Sequence, residues 1–253
     1  MTTQQSMSPG DGLLGRAARL GVWALPVWAA LLAVSTINEQ PNWRTHPGDW
    51  SRFVTTPEFL ASHLVASILG AAIGAVGMVA LGAVLARRGH PAAGLWTMVT
   101  GVVANVLTAS ALGVAAFAQP AIGRSYLASH TAQARLLIKT AVNGTWLNAM
   151  TVTSGVLLIA SAVVAGVAVA RTQSLPRAAG IGLAASMALF ALAQFIDTGP
   201  WQAIAGAVMT ASAAWIAVAA GRRGAPVPAT GAGDTIPAAG HPDVAHGRPA
   251  AAR

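Results

Sequence analysis

The chain contains no cysteine, one lysine, one tyrosine and seven acidic residues in 253 positions. Without cysteine there are no disulfides, no thiolate metal ligands and no thiol nucleophile, and the redox compartment cannot be read from cysteine usage. Charged residues amount to 9% of the chain, against about 25% in soluble domains. No Walker A, GxSxG or HExxH motif is present, and no carboxylate pair lies inside an apolar run. The residue sets that hydrolases, nucleotide-driven machines and zinc proteases require are therefore missing. No catalytic residue, metal-ligating set or cofactor is assigned on this evidence, and a non-catalytic role is expected. A small secondary transporter is an alternative, through a possible 3+3 topology and Pro26, although no charge falls at the centre of an apolar run, where ion-coupled transporters commonly hold a charge or a broken helix.

What is abundant is hydrocarbon. Six uncharged runs, 20–38, 59–86, 91–123, 147–170, 178–196 and 198–221, each reach the ~17–25 residues needed to cross a ~30 Å apolar core. A lipid-exposed backbone finds no water to bond, so these runs must be helical. The expected fold is all-α: a polytopic membrane protein of six transmembrane helices. Its domains are a disordered N-terminal segment 1–15, a bundle 16–223 and a disordered Ala/Pro/Gly-rich tail 224–253. The tail has no apolar period with which to offset its ordering entropy. Arg16 and Arg19 before the first run imitate a secretory signal, but its 19 residues exceed the usual ~7–15-residue apolar core of such a signal.

The net charge of +8 is a topology signal and not a nucleic-acid patch, because the arginines flank the apolar runs. With the N-terminus in the cytoplasm, Arg16, Arg19, Arg87, Arg88, Arg171, Arg177, Arg222 and Arg223 all lie inside near helix ends. Only Arg44, Arg52, Arg124, Arg135 and Lys139 lie outside. The positive-inside bias then places both termini in the cytoplasm. Arginine, alanine and glycine usage suggests a GC-rich bacterial genome, hence a bacterial plasma membrane. The lipid bilayer is the first expected partner, a membrane-protein partner or homodimer the second, and nucleic acid is not expected.

The outer loops, 38–56 and 119–146, hold most of the polar material. Thr56-Pro57-Glu58 is a helix start, with Thr as cap, Pro in the first turn and Glu suited to the dipole. In the second loop Ala134, Leu137, Ile138 and Ala141 follow i, i+3, i+4, i+7, opposite Thr131, Arg135 and Lys139. That pattern predicts an extracytoplasmic amphipathic helix lying in the interface. Arg135 and Lys139 are the candidates for contact with a lipid headgroup or anion, the alternative being a plain capping helix. Asn143-Gly144 turns the chain into the fourth crossing, and Pro200 suits the start of the sixth.

Within the membrane, His63, Ser67, Gly70, Gly74 and Gly77 share one helical face. Gly70, Gly74 and Gly77 suit close helix packing, either within the chain or across a homodimer. His63 lies about 9 Å below its helix start at ~1.5 Å per residue. Gln194 lies about 5 Å below the outer end of its helix, Thr151, Thr153 and Ser154 at comparable depth, and Asp197 caps the same layer. An outer polar pocket built from His63, Gln194, Asp197, Thr151 and Ser154 is one reading, and mutual hydrogen bonding of these groups is the other. A haem or quinone redox role through His63 is a third, but a haem in a bundle usually takes two facing histidines. Asn105 is expected to bond across helices. Pro26 is expected to kink the first helix. Trp96, Trp146 and Trp201 read as interfacial anchors, and Trp43 and Trp50 as covers over the bundle mouth or a partner contact.

Overall fold

The computed structural model describes residues 9–37, 40–193 and 200–222. The expected tail 224–253 lies outside the described residues, and so do the candidate site residues Gln194 and Asp197. Every regular element among the described residues is helical. In chain order they are α1 (Pro9–Gly21), α2 (Ala24–Ser35), α3 (Pro47–Val54), α4 (Pro57–Ala61), α5 (Gly70–Arg87), α6 (Pro91–Leu127), α7 (Thr131–Leu137), α8 (Thr145–Arg171), α9 (Arg177–Ala193) and α10 (Trp201–Gly221). Two π-helical segments, Ser62–Leu69 and Ile138–Val142, join α4 to α5 and extend α7.

Five of the resulting helices are long and apolar enough to cross a membrane: Gly12–Ser35, Pro57–Arg87, Pro91–Leu127, Thr145–Arg171 and Trp201–Gly221. This is a membrane-embedded, all-α protein. α9 has 17 described residues.

The helices close on themselves. α5 packs on α6, α6 on α8, α8 on α9, α9 on α10, α10 on α2, and α2 on α5. Small residues permit this. A Cβ on Gly82 would sit 2.5 Å from the Gly94 carbonyl oxygen, and one on Gly94 would sit 2.5 Å from that of Gly82, so α5 and α6 touch backbone to backbone. Gly166 of α8 and Gly180 of α9 repeat the arrangement, and Gly206 of α10 lies against the backbone of Ala33. Without a hydrophobic force between helices in lipid, such close approach is what holds them together. The interior of the ring is filled by Leu25, Met78, Leu81, Ala162, Leu183, Met187, Met209 and Ile216, all fully buried.

The first span differs from expectation in two respects. Helix already begins at Pro9, inside the stretch expected to be disordered. Gly15 and Ala18 are buried and Gly21 abuts Ala80, so a flat small-residue face seats α1 on α5. The helix then breaks at Val22 and Trp23, and Pro26 falls in the first turn of α2. A proline there forfeits no hydrogen bond, because first-turn N–H groups have no intrahelical partner.

The loops also hold more structure than expected. α6 runs through Pro120 to Leu127, so its 37 residues span about 55 Å at ~1.5 Å per residue, well beyond a ~30 Å apolar core. Its projecting end nucleates a second small core. Trp50, Val54, Phe59, Ile122, Ala134 and Ile138 are buried there, with Trp43, Phe53 and Tyr126 packed against them. A Cβ on Gly123 would lie 2.7 Å from Val54 Cγ2 and 2.9 Å from the Ser51 carbonyl oxygen, so α3 rests tightly on α6. Trp50 therefore covers the end of α6. Of the expected apolar face of 131–142, Ala134 and Ile138 are buried whereas Leu137 and Ala141 are exposed. The switch to π-helical winding at Ile138 adds residues to the turn and rotates Ala141 out of register.

Candidate functional site

The helix carrying His63 starts as the sequence predicts. Thr56 Oγ1 accepts a hydrogen bond from the Phe59 N–H at 3.2 Å, and Pro57 occupies the first turn. One turn later the winding widens into the π-helical segment Ser62–Leu69. Such bulges are rare and concentrate at functional sites. His63 Nδ1 lies 3.0 Å from the Phe59 carbonyl oxygen. A carbonyl can only accept, so Nδ1 carries the proton. The imidazole also stacks on the Phe59 ring, 4.0 Å between centroids and 34° between planes. Phe59 belongs to the second core and meets Phe53 edge-on at 5.8 Å. The histidine is thus held from the cap side by two contacts with one residue, Phe59.

His63 opens onto a cavity of about 660 Å³ inside the ring, at the end away from the arginine-rich one. Trp28, Leu32, Leu158 and Phe190 give it apolar surface, and Ser67 and Thr151 give it polar walls. Thr108 and Ser154 form a bridge between α6 and α8. Ser154 Oγ and Thr108 Oγ1 lie 3.1 and 2.9 Å from the Ala104 carbonyl oxygen and share a short hydrogen bond with each other, so one hydroxyl donates to its partner and the other to that carbonyl. Thr151 Oγ1 donates to the Leu147 carbonyl oxygen at 2.9 Å. At the rim, Gln40 Nε2 donates to Gln119 Oε1 at 3.1 Å, and Glu58 and Gln202 complete the polar edge. The volume falls in the ~300–1,000 Å³ range of small-molecule sites.

Of the residues chosen from sequence, His63, Thr151 and Ser154 are brought to this one cavity. Thr153 is exposed and does not line it. Gln40, Glu58, Thr108, Gln119 and Gln202 line it unanticipated. Gln119 was legible only with the knowledge that α6 continues past it. Arg135 and Lys139 are exposed on 131–142, away from the cavity lining. A haem held by two axial histidines would need a second imidazole beside His63, and none is among the described lining residues.

The glycine face packs within the chain. A Cβ on Gly74 would come within 2.8 Å of the Trp28 ring, and one on Gly77 within 2.9 Å of the Leu25 backbone nitrogen. Gly70 has an ordinary contact with Leu31 at 3.6 Å. Asn105 departs from expectation. Its Nδ2 donates to Gly101 of its own helix at 2.8 Å, and its buried Oδ1 has no hydrogen-bond partner among the described residues. Across the interface Oδ1 faces Gly74, which has no side chain to donate, and a Cβ there would be 2.7 Å from Oδ1.

At the opposite end, Arg88 donates to Ser174 Oγ at 3.0 Å and ties the α5–α6 turn to the α8–α9 turn. Burial, with repulsion from Arg19 second, draws its guanidinium below the ordinary arginine value. Comparison of the chain with protein-family models, with curated proteins and with solved structures finds no match.

Proposed function

We propose that this is a six-crossing protein of a bacterial plasma membrane, with both termini cytoplasmic and the α3/α7 cap outside. It binds a lipid-like ligand in the cavity beneath that cap and performs no chemistry on it. The cavity carries this reading: a space of about 660 Å³ with an apolar floor and a polar rim, at one end of the ring. The orientation rests on the arginines of the short turns at the other end. α9, completing the sixth crossing, packs between α8 and α10 as the ring requires. Trp96, Trp146 and Trp201 are exposed and suit interfacial anchoring. Exposed Arg135 and Lys139 on the segment 131–142 suit lipid headgroups at the outer surface.

The test is native mass spectrometry of protein extracted gently from its membrane, beside Gly155→Leu. Gly155 lines the cavity and has nothing within 4 Å of a built Cβ, so leucine fills the space without straining the helix. A defined adduct on the wild type that Gly155→Leu abolishes supports the reading. An adduct unaffected by Gly155→Leu defeats it.

Transport is the second reading, favoured by the break at Val22 and Trp23 and the π-helical winding of Ser62–Leu69. Broken helices near the midplane are a transporter device. It requires a water path beyond Ser67 toward the arginine-rich end. Single cysteines at Ile73 and Met78 that stay unreactive to a water-soluble maleimide from both sides would end it.

A further inference from the structure

We infer that the cavity selects an organic cation: an apolar body carrying a protonated primary amine. This rests on the ligand-binding reading above and deepens it.

The charge and the hydrogen-bonding groups of the lining set which ligand it accepts. The hydroxyls of Ser35, Thr36, Ser62, Thr108, Thr151 and Ser154 line the cavity with a backbone carbonyl oxygen in reach as acceptor, whereas the Ser67 hydroxyl, also in the lining, has no hydrogen-bond acceptor among the described residues. A hydroxyl has one proton and two lone pairs. Once its proton is committed to the backbone, it offers an incoming molecule only acceptors. His63 gives its Nδ1 proton to Phe59, so the neutral ring has Nε2 left as an acceptor. Gln40 commits one amide hydrogen to Gln119 and keeps the other, along with its carbonyl oxygen. Glu58 adds a carboxylate at the rim. Gln119 and Gln202 contribute amides, which are donors and acceptors both.

Ser67, Gln40, Gln119 and Gln202 keep some donors, but the one charged group among the described lining residues is the Glu58 carboxylate, and these residues include no arginine or lysine. An anion would face lone pairs with no positive partner. An ammonium has three donors and no acceptor, and its hydrogen bonds to these oxygens are charge-assisted. Trp28, Phe59 and Phe190 add aromatic surface for its body.

The experiment uses the full chain in nanodiscs and radiolabelled 1-adamantylmethylamine, with 1-adamantylmethanol and 1-adamantanecarboxylate as competitors of the same body. Binding blocked by Gly155→Leu is the cavity's share. Within that share the amine is expected to compete about tenfold better than the alcohol, the size of one charge-assisted hydrogen bond, and the carboxylate not at all. Thr151→Val deletes an acceptor and keeps the shape, and should weaken the amine about tenfold. Glu58→Gln should weaken it about threefold, because that charge is exposed. Cavity binding in which the carboxylate equals or exceeds the amine overturns the cation assignment and leaves the ligand pocket standing. Absence of any binding sensitive to Gly155→Leu also overturns it, and the native adduct then decides separately whether the cavity holds a ligand at all.

Discussion

Replacing Gly77 by alanine tests whether the glycine face is spent inside the chain. The new Cβ would lie 2.7 Å from Leu25 Cδ2, 2.8 Å from Cγ and 2.9 Å from the backbone nitrogen of Leu25. Ordinary contact begins at 3.4 Å, so the two helices must part by several tenths of an ångström. Leu25 is fully buried and its backbone is fixed in α2, so no flexible tip can give way. Overpacking of this kind costs about 1–3 kcal/mol. Alanine returns up to about 1 kcal/mol of helix propensity. The expected net loss is about 1–2 kcal/mol. Gly113→Ala is the control, since nothing lies within 4 Å of its built Cβ, and it should be neutral or stabilising by up to about 1 kcal/mol. Both are read by equilibrium unfolding in mixed micelles with increasing SDS, alongside mass determination by light scattering. If Gly77→Ala matches Gly113→Ala in stability, or lowers only a dimer population, the face belongs to another copy of the chain and the packing argument fails.

Three further outcomes follow from the same structure. Trp50→Ala empties the centre of the second core, where Trp50 is 3% exposed, and should cost about 3–5 kcal/mol of local stability. It should speed protease cleavage within 131–142 while the ring of spanning helices stays intact; unchanged cleavage would remove the cap's dependence on α3. Thr56→Ala removes the hydrogen bond to the Phe59 N–H and should cost about 1 kcal/mol, seen as faster amide exchange at residues 57–61; unchanged exchange would mean that the cap bond is dispensable. The chain has no native cysteine, so single cysteines report topology directly. Asn42→Cys and Thr131→Cys should react with an impermeant maleimide on intact cells, and His90→Cys and Ser174→Cys only after lysis. The opposite pattern would invert the proposed orientation.

Much of this architecture was legible from local features. Length and apolarity mark the spans because a backbone in hydrocarbon has one way to satisfy itself. Thr56-Pro57-Glu58 announces its own helix because a cap acts over three residues. The end of α6 was not legible. Pro120 and the charge at Arg124 suggest a loop, yet Ile122 is held in helix by α3, a segment more than 60 residues away in the chain. Trp50 looked like an exposed cover for the same reason: its partners lie on α6 and on 131–142.

The candidate site divides along the same line. His63 was conspicuous because an ionisable residue inside an apolar run is costly unless the interior receives it. That it stacks on Phe59 and donates to its carbonyl oxygen depends on the π-helical turn, which no spacing rule announces. Thr108 and Ser154, on different helices, become one polar bridge only when α6 and α8 lie side by side. The sequence by itself determined that the chain lives in a membrane, where its helices start, and which few polar groups its interior would have to accommodate. Only the tertiary structure decided that these groups border a shared cavity, and that most of their protons are already committed. Those properties arise from contacts between helices, and such contacts follow from ring closure and not from any local run of residues.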